Sequence, residues 1–249
     1  MITIKNQDAI EKMTVAGHYL AQMFNELGSI LLVDMTTLDI DTYISDYLKA
    51  NNLISCSKGY MGYRYSSCIS INQEVVHGIP GKYKLKSGDL VKIDVSASYK
   101  SYCADMARCF FVNNQTTPEA VKLVEVATDA LNKGIEKAIP GNRISDISYA
   151  IQSEVNKYGY GIVREFAGHG IGRNMHEAPE ILNYGKPGYG PVIKEGMAFA
   201  IEPMITMGNH KIIILKDGWT VRTADNSLAA HVEDTVVVTG QGLKIITRL

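Results

Sequence analysis

The chain has 249 residues, 46% of them hydrophobic and 20% charged, with a formal net charge of −1. That size and balance describe an ordinary globular protein, one large domain or two fused halves with apolar surface enough for a sizeable core. The near-zero charge supplies no bulk basic field for nucleic acid or an anionic membrane, so neither is expected as a partner.

Charges run throughout Met1 to Gly28, without the unbroken apolar core of a signal peptide. The longest apolar runs, Ile30-Leu31-Leu32-Val33 and Ile212-Ile213-Ile214-Leu215, are too short to span a bilayer. The expectation is a cytoplasmic protein. Apolar Ile10, Met13, Leu20, Met23, Phe24 and Leu27 recur near helical spacing over residues 7–27. A second helix is predicted after Thr37, with Ile40, Tyr43, Ile44, Tyr47 and Leu48 as its buried stripe. A strand-rich stretch follows to about Val112. Thr117-Pro118-Glu119 opens a third helix: Thr caps it, Pro takes the first helical position, and an acid stands in the first turn. That helix is predicted to reach Ala138, before Pro140-Gly141, and a fourth to span 144–157. The rest reads as strands, with a loop over 184–191 and a hairpin turn at Asp217-Gly218. Cys56, Cys68, Cys103 and Cys109 form no closely spaced pair, which argues for free thiols and against a zinc knuckle.

The second half resembles the first. Asp39-Ile40 with Ile44 and Leu48 matches Asp146-Ile147 with Ile151 and Val155. Lys86-Ser87-Gly88 leading to Asp94 matches Lys194-Glu195-Gly196 leading to Glu202, and His77-Gly78-Ile79 echoes His169-Gly170-Ile171. The offsets are about 107, 108 and 92 residues, so the halves share a plan with unequal loops. The expectation is an α+β fold of pseudo-two-fold symmetry, with helices covering a curved antiparallel sheet. It forms a single catalytic domain of two related halves, about 1–115 and 116–249. A site on the axis would take Asp94 and Glu202 from corresponding strands.

Asp94, Asp105, Glu202 and Glu233 all interrupt strand-like apolar segments. The eleven-residue spacing of Asp94 and Asp105 suits a hairpin that sets their carboxylates side by side. An ionised carboxylate there is costly unless a cation or donors compensate it, and a bound metal resolves the repulsion within a cluster. The structural alternative puts each acid at a strand end or beside a neighbour such as Arg108. His169 adds an imidazole within Gly168-His169-Gly170-Ile171-Gly172, whose glycines permit close backbone approach. Carboxylates with one imidazole disfavour a structural zinc site and suit Mn(II), Fe(II), Co(II) or Zn(II) in a catalytic pair. Two such ions ~3.5–4 Å apart polarise a carbonyl and activate water. His77 and His176 are candidates for contacting a substrate carbonyl, amide or leaving group. His18, His210 and His231 lack comparable context and read as surface or packing residues.

Together these segments resemble the type I methionine aminopeptidases over nearly the whole chain. The resemblance is carried by Ser70-Ile71-Asn72, His77-Gly78-Ile79-Pro80, Asp94-Val95 and Asp105-Met106-Ala107-Arg108. It continues through Gly168 to Gly172, Ile201-Glu202-Pro203-Met204, Lys216-Asp217-Gly218-Trp219, and Glu233 with Thr235. It implies the "pita-bread" fold, two divalent ions, and removal of the initiator methionine from nascent chains. It also implies Asp94, Asp105, His169, Glu202 and Glu233 as ligands, with Asp105 and Glu233 bridging. His77 and His176 match substrate-facing histidines. Tyr60, Tyr63, Cys68 and Trp219 match the pocket for the methionine side chain, and aromatics with a thiol make a soft cleft suited to a thioether. The implied partner is a peptide or nascent-chain N-terminus beginning with Met, with ribosome association and a monomeric state as further expectations. Val76 departs from the cysteine many members carry before this histidine. The expectation is a short form without a zinc-binding N-terminal extension, and the His169–Glu202 interval leaves no room for the type II insertion.

The expected reaction is attack of a metal-activated water on the scissile carbonyl, with Glu202 as proton acceptor. By resemblance, His176 steadies the oxyanion and His77 contacts the scissile amide. The alternatives are a proline-directed aminopeptidase or prolidase on the same fold, and a non-catalytic binding module.

Overall fold

The computed structural model describes residues 2–31 and 33–249, so Leu32 of the first apolar run lies outside the described residues. Helix α1 (Gln7–Ile30) starts where the Asn6 side chain accepts from the Ala9 amide at 2.9 Å. Helix α2 (Thr37–Ala50) opens with a reciprocal cap: Asp39 N–H donates to the Thr36 hydroxyl, and Thr36 N–H donates to the Asp39 carboxylate. Helix α3 (Pro118–Ile135) begins at the expected Thr117 cap, and α4 covers Ile144–Asn156. No helix among the described residues is long and apolar enough to cross a membrane.

Two details differ from the periodicity. Helix α3 stops at Ile135 because Lys137 N–H and Ala138 N–H bond three residues back, to Gly134 and Ile135, tightening the chain into a turn. In α2 the stripe takes in Asp41, while Tyr43 and Tyr47 are only half-buried. Tyr43 keeps its hydroxyl at the surface, donating to Glu26, and lays its ring against Tyr47. Asp41 is buried because three donors meet one of its oxygens: Ser66 N–H, Ser67 N–H and the Ser67 hydroxyl.

The fold is α+β, and its registered strand pairs are antiparallel. In one sheet Leu90–Tyr99 is central, with Tyr102–Phe111 along one edge and Cys68–Ile71 and Ile54–Ser55 along the other. The five-stranded sheet runs Gly242–Ile245, Asp234–Thr239, Ala198–Ile201, Gly168–Gly170, Glu177–Ile181. Two three-stranded ladders complete the body, and a bridge between Ala107 and Glu233 joins the two larger sheets.

Alternation sorts each strand into a helix-covered face and a site-facing one. Helices α1 and α2 seal the first sheet through Leu20, Phe24, Leu27, Ile44, Val91 and Ile93. Helices α3 and α4 seal the five-stranded sheet through Leu123, Leu131, Ile147, Ile151, Phe199 and Val236. Each such side chain contributes roughly 1.5–3 kcal/mol on burial. The paired cores anchor the acid-bearing strands from behind.

Candidate active site

The Leu90–Tyr99 and Tyr102–Phe111 strands pair with Ser96 opposite Asp105 and Asp94 opposite Ala107. Asp94 and Asp105 therefore share one face as diagonal neighbours, two residues offset from direct opposition. Thr235 fastens Asp105 to the other sheet: its hydroxyl accepts from Asp105 N–H and donates to Asp105 C=O, both at 2.8 Å. Glu233 arrives on the bridge to Ala107, its N–H donating to that carbonyl at 3.0 Å. His169 pairs with Ala200, and Glu202 follows the end of the Ala198–Ile201 strand. Gly168 and Gly170 have a backbone reason: a Cβ on either would run into the carbonyl of Ala200 or Ala178.

The His169 Nδ1 sits 2.9 Å from the Gly170 carbonyl oxygen. Donation there places the proton on Nδ1 and turns the Nε2 lone pair inward. That Nε2 lies 3.5 Å from one Glu202 oxygen, and His231 Nε2 lies 3.4 Å from the other. Asp105, His169 and Glu233 each bring a ligand atom within 4.8 Å of the others, and so do Glu202, His231 and Glu233. Asp94 lines the same cleft.

Burial dominates the electrostatics. It pushes Asp94 up to about 6 and Glu202 up to about 8. Burial, then the neighbouring carboxylates, holds Asp105 and Glu233 well above the usual range. Burial lowers His169 and His77 to about 4, and nearby imidazoles add to the effect. Among the described residues no Lys or Arg side chain pairs with these acids; Arg108 reaches Asp234 instead, at 2.6 Å. Glu233 Oε1 and His231 Nε2 are buried without a hydrogen-bond partner. Converging oxygen and imidazole donors, mutual repulsion and orphaned ligand atoms fit divalent metal ions.

The cleft holds about 300 Å³ and is lined by all eleven residues singled out in the sequence: Tyr60, Tyr63, Cys68, His77, Asp94, Asp105, His169, His176, Glu202, Trp219 and Glu233. Cys68 stands opposite Asp94 in register, so the apolar pocket abuts the acids directly. Tyr63 Oη lies 2.9 Å from the Ser67 carbonyl and 3.3 Å from that of Gly78, and its ring meets Trp219 edge-on at 4.9 Å. Trp219 is positioned by Asp217, whose carboxylate accepts from the Trp219 and Thr220 amides. His77 adopts φ +58°, beyond the Glu74–Val76 strand, with its ring edge-on to Phe166. His176 lies against His169 and Tyr60. The next residue, Glu177, is held by Lys5 Nζ at 3.0 Å and by the Thr3 hydroxyl, while Lys5 N–H donates to Gly196 C=O. The chain's first residues thus strap the His176 loop.

One expectation is corrected. His231 is 1% exposed and lines the cleft beside Glu202, neither a surface nor a mere packing residue. Pairing of Ala229–His231 with Met204–Thr206, Met204 opposite His231, carries it there. Phe166, Met175 and Met204 also line the cleft and were missed. Phe166 lies just before the Gly168–Gly172 motif and Met204 closes the Ile201–Met204 one, which was the one local signal they offered.

A cleft floored by acids and imidazoles, with an aromatic pocket beside it on an α+β body of antiparallel sheets, fits a metal-dependent peptidase. The chain belongs to the metallopeptidase family M24, whose description matches residues 11–240. It is 45% identical to the methionine aminopeptidase of Clostridium acetobutylicum, over 99% of each chain. It is 40% identical to methionine aminopeptidase 1 of Bacillus subtilis, over 100% of each. The crystal structure of the Thermotoga maritima methionine aminopeptidase superposes with a TM-score of 0.97 at 40% identity, covering 100% of both chains. The prolidase of Pyrococcus furiosus shares the fold alone, at 23% identity and a TM-score of 0.78, with this chain covering 65% of its length.

Proposed function

We propose that this chain is a metal-dependent aminopeptidase that removes an N-terminal methionine from peptides and nascent proteins. The observation that carries it is the contiguity of Cys68 in the apolar pocket with Asp94 among the acids, paired in register on adjacent strands. A side chain seated in the pocket brings the first peptide bond to the carboxylates. Full-length identity to enzymes named methionine aminopeptidases supports the same reading.

Asp94, Asp105, His169, Glu202 and Glu233 hold two divalent ions, Fe, Mn, Co or Zn, in a catalytic domain built of two related halves, about 1–115 and 116–249. When bound, these ions supply a nucleophilic water at neutral pH and Lewis acidity toward a carbonyl. The chain's own residues do the rest. Tyr60, Tyr63, Cys68 and Trp219 enclose the methionine thioether and exclude water around it. Glu202, favoured in its ionised form beside bound cations, then takes the proton released in the attack on one of its carboxylate oxygens. His176 donates to the developing oxyanion, and His77 to the scissile amide. We place the protein in the cytoplasm as a monomer, acting on chains as they leave the ribosome.

The test is hydrolysis of Met-Ala-Ser after reconstitution with Mn(II) or Co(II), with a chelator control and Ala-Pro and Gly-Pro as competing substrates. Cleavage of the first alone, abolished by chelation, is expected. Preference for the proline peptides returns the chain to the prolidase reading; no metal binding and no cleavage make it a binding module. His169→Ala and Asp105→Ala should lose metal and turnover together. His77→Ala should keep its metal and lose turnover.

A further inference from the structure

The donor atoms around Glu233 form two triads rather than one. Asp105 and His169 each bring a donor atom within 4.8 Å of Glu233 and of each other, and Glu202 and His231 do the same. Each triad holds two carboxylates and one imidazole. The ligand set drawn from the family likeness contains a single imidazole, and His231 is outside it.

Three observations separate His231 from a packing residue. Its ring is 1% exposed, yet its Nε2 has no hydrogen-bond partner. Leaving a buried nitrogen without a partner is costly, and packing alone does not offset that cost. Second, that Nε2 points at Glu202, 3.4 Å from the oxygen that His169 does not face. Third, the alternation is right: Ala230 and Val232 turn into the core under α3 and α4, while His231 and Glu233 turn into the cleft.

We propose that His231 is a metal donor in its own right, completing a second subsite with Glu202 and Glu233. The centre then carries two imidazoles, one on each side of the Glu202 carboxylate. This inference rests on the metal-dependent reading above and extends it. An added nitrogen donor shifts preference toward the later first-row ions, so the second subsite favours Co(II) and Zn(II) over Mn(II).

The experiment is calorimetric titration of metal-free wild type, His231→Gln and His169→Ala with Co(II) and with Mn(II), each variant first checked for native circular dichroism. Wild type should show two Co(II) sites. His231→Gln should keep one and weaken the other by ~10–100-fold, the scale of ligand-sphere losses. Its Co(II) affinity should fall by a larger factor than its Mn(II) affinity, a split that a merely structural histidine does not produce. Isotherms of His231→Gln that superimpose on wild type, while His169→Ala is weakened, overturn the second imidazole and leave the peptidase reading standing. A wild type that binds neither ion overturns both. Should the glutamine variant not fold, nitrogen-15 imidazole spectra of wild type with Zn(II) decide. Two histidines with metal-shifted Nε2 resonances are expected; one alone overturns the proposal.

Discussion

The Nδ1 of His176 lies 3.1 Å from the Tyr60 hydroxyl, with the two rings tilted at 60° and their centroids 5.3 Å apart. The two residues stand 116 positions apart in the chain and both line the cleft. This contact couples the pocket loop to the histidine proposed to face the reacting carbonyl. Tyr60→Phe keeps the ring and removes the hydroxyl. One hydrogen bond of about 1 kcal/mol corresponds to roughly a fivefold loss in kcat/KM. Thermal stability should not move, because Tyr60 is 40% exposed. Unchanged kinetics on Met-Ala-Ser would remove the contact from the mechanism.

Asp105 and Glu233 repel each other in a buried site, and no cationic side chain among the described residues offsets them. Asp105→Asn removes, at almost constant volume, the cost of burying this carboxyl among its neighbours. In metal-free protein this should stabilise by ~1–3 kcal/mol, raising Tm by several degrees in a chain of this size. Added Co(II) should raise the Tm of wild type and leave the variant nearly unmoved. A metal-free variant that melts below wild type sinks the repulsion argument.

Gly78 follows His77 at a crowded point. Its amide donates to the Ser70 hydroxyl at 3.1 Å, and a Cβ would run into the Ile69 carbonyl. Gly78→Ala must shift one backbone or the other, at a cost of about 2–3 kcal/mol. His77 moves with it, and a displacement near 1 Å costs on the order of 100-fold in rate. Denaturant midpoints and kcat should therefore fall together; a fall in stability with intact kcat would dissociate the turn from catalysis.

Lys92 is buried, and burial lowers it to about 8 from its ordinary 10.5. Its Nζ donates to the Asn72 carbonyl at 2.7 Å. Below pH 8 both folded and unfolded chains carry the proton, and the folded state bears the penalty of the buried charge. Between about 8 and 10.5 only the unfolded chain carries it, so stability rises with pH through that window. The full gain is about 3 kcal/mol, on the order of 1.4 kcal/mol for each pH unit. Unfolding free energies of wild type and Lys92→Met at pH 7, 8.5 and 10 should show wild type gaining on the variant. Parallel pH profiles would mean that Lys92 keeps its proton.

The sequence was most informative where chemistry is local. The Thr117-Pro118 start of α3, the turn at Asp217-Gly218 and the glycines around His169 each answer to a few neighbouring residues, and the structure holds them as expected. The acids stood out because a carboxylate inside an apolar strand demands compensation. His231 did not stand out: flanked by alanine and valine, it gains its meaning from Glu202, which strand pairing brings to it from a distant segment. The same holds for Asp41, whose partners Ser66 and Ser67 lie beyond the end of its own helix. The diagonal offset of Asp94 and Asp105 depends on register, which spacing alone left open.

The strap of Thr3 and Lys5 on Glu177 bears on how the protein is handled at the bench. A purification handle fused upstream pulls on the segment that steadies the loop bearing His176. One placed behind Leu249, which is 69% exposed, leaves that latch undisturbed.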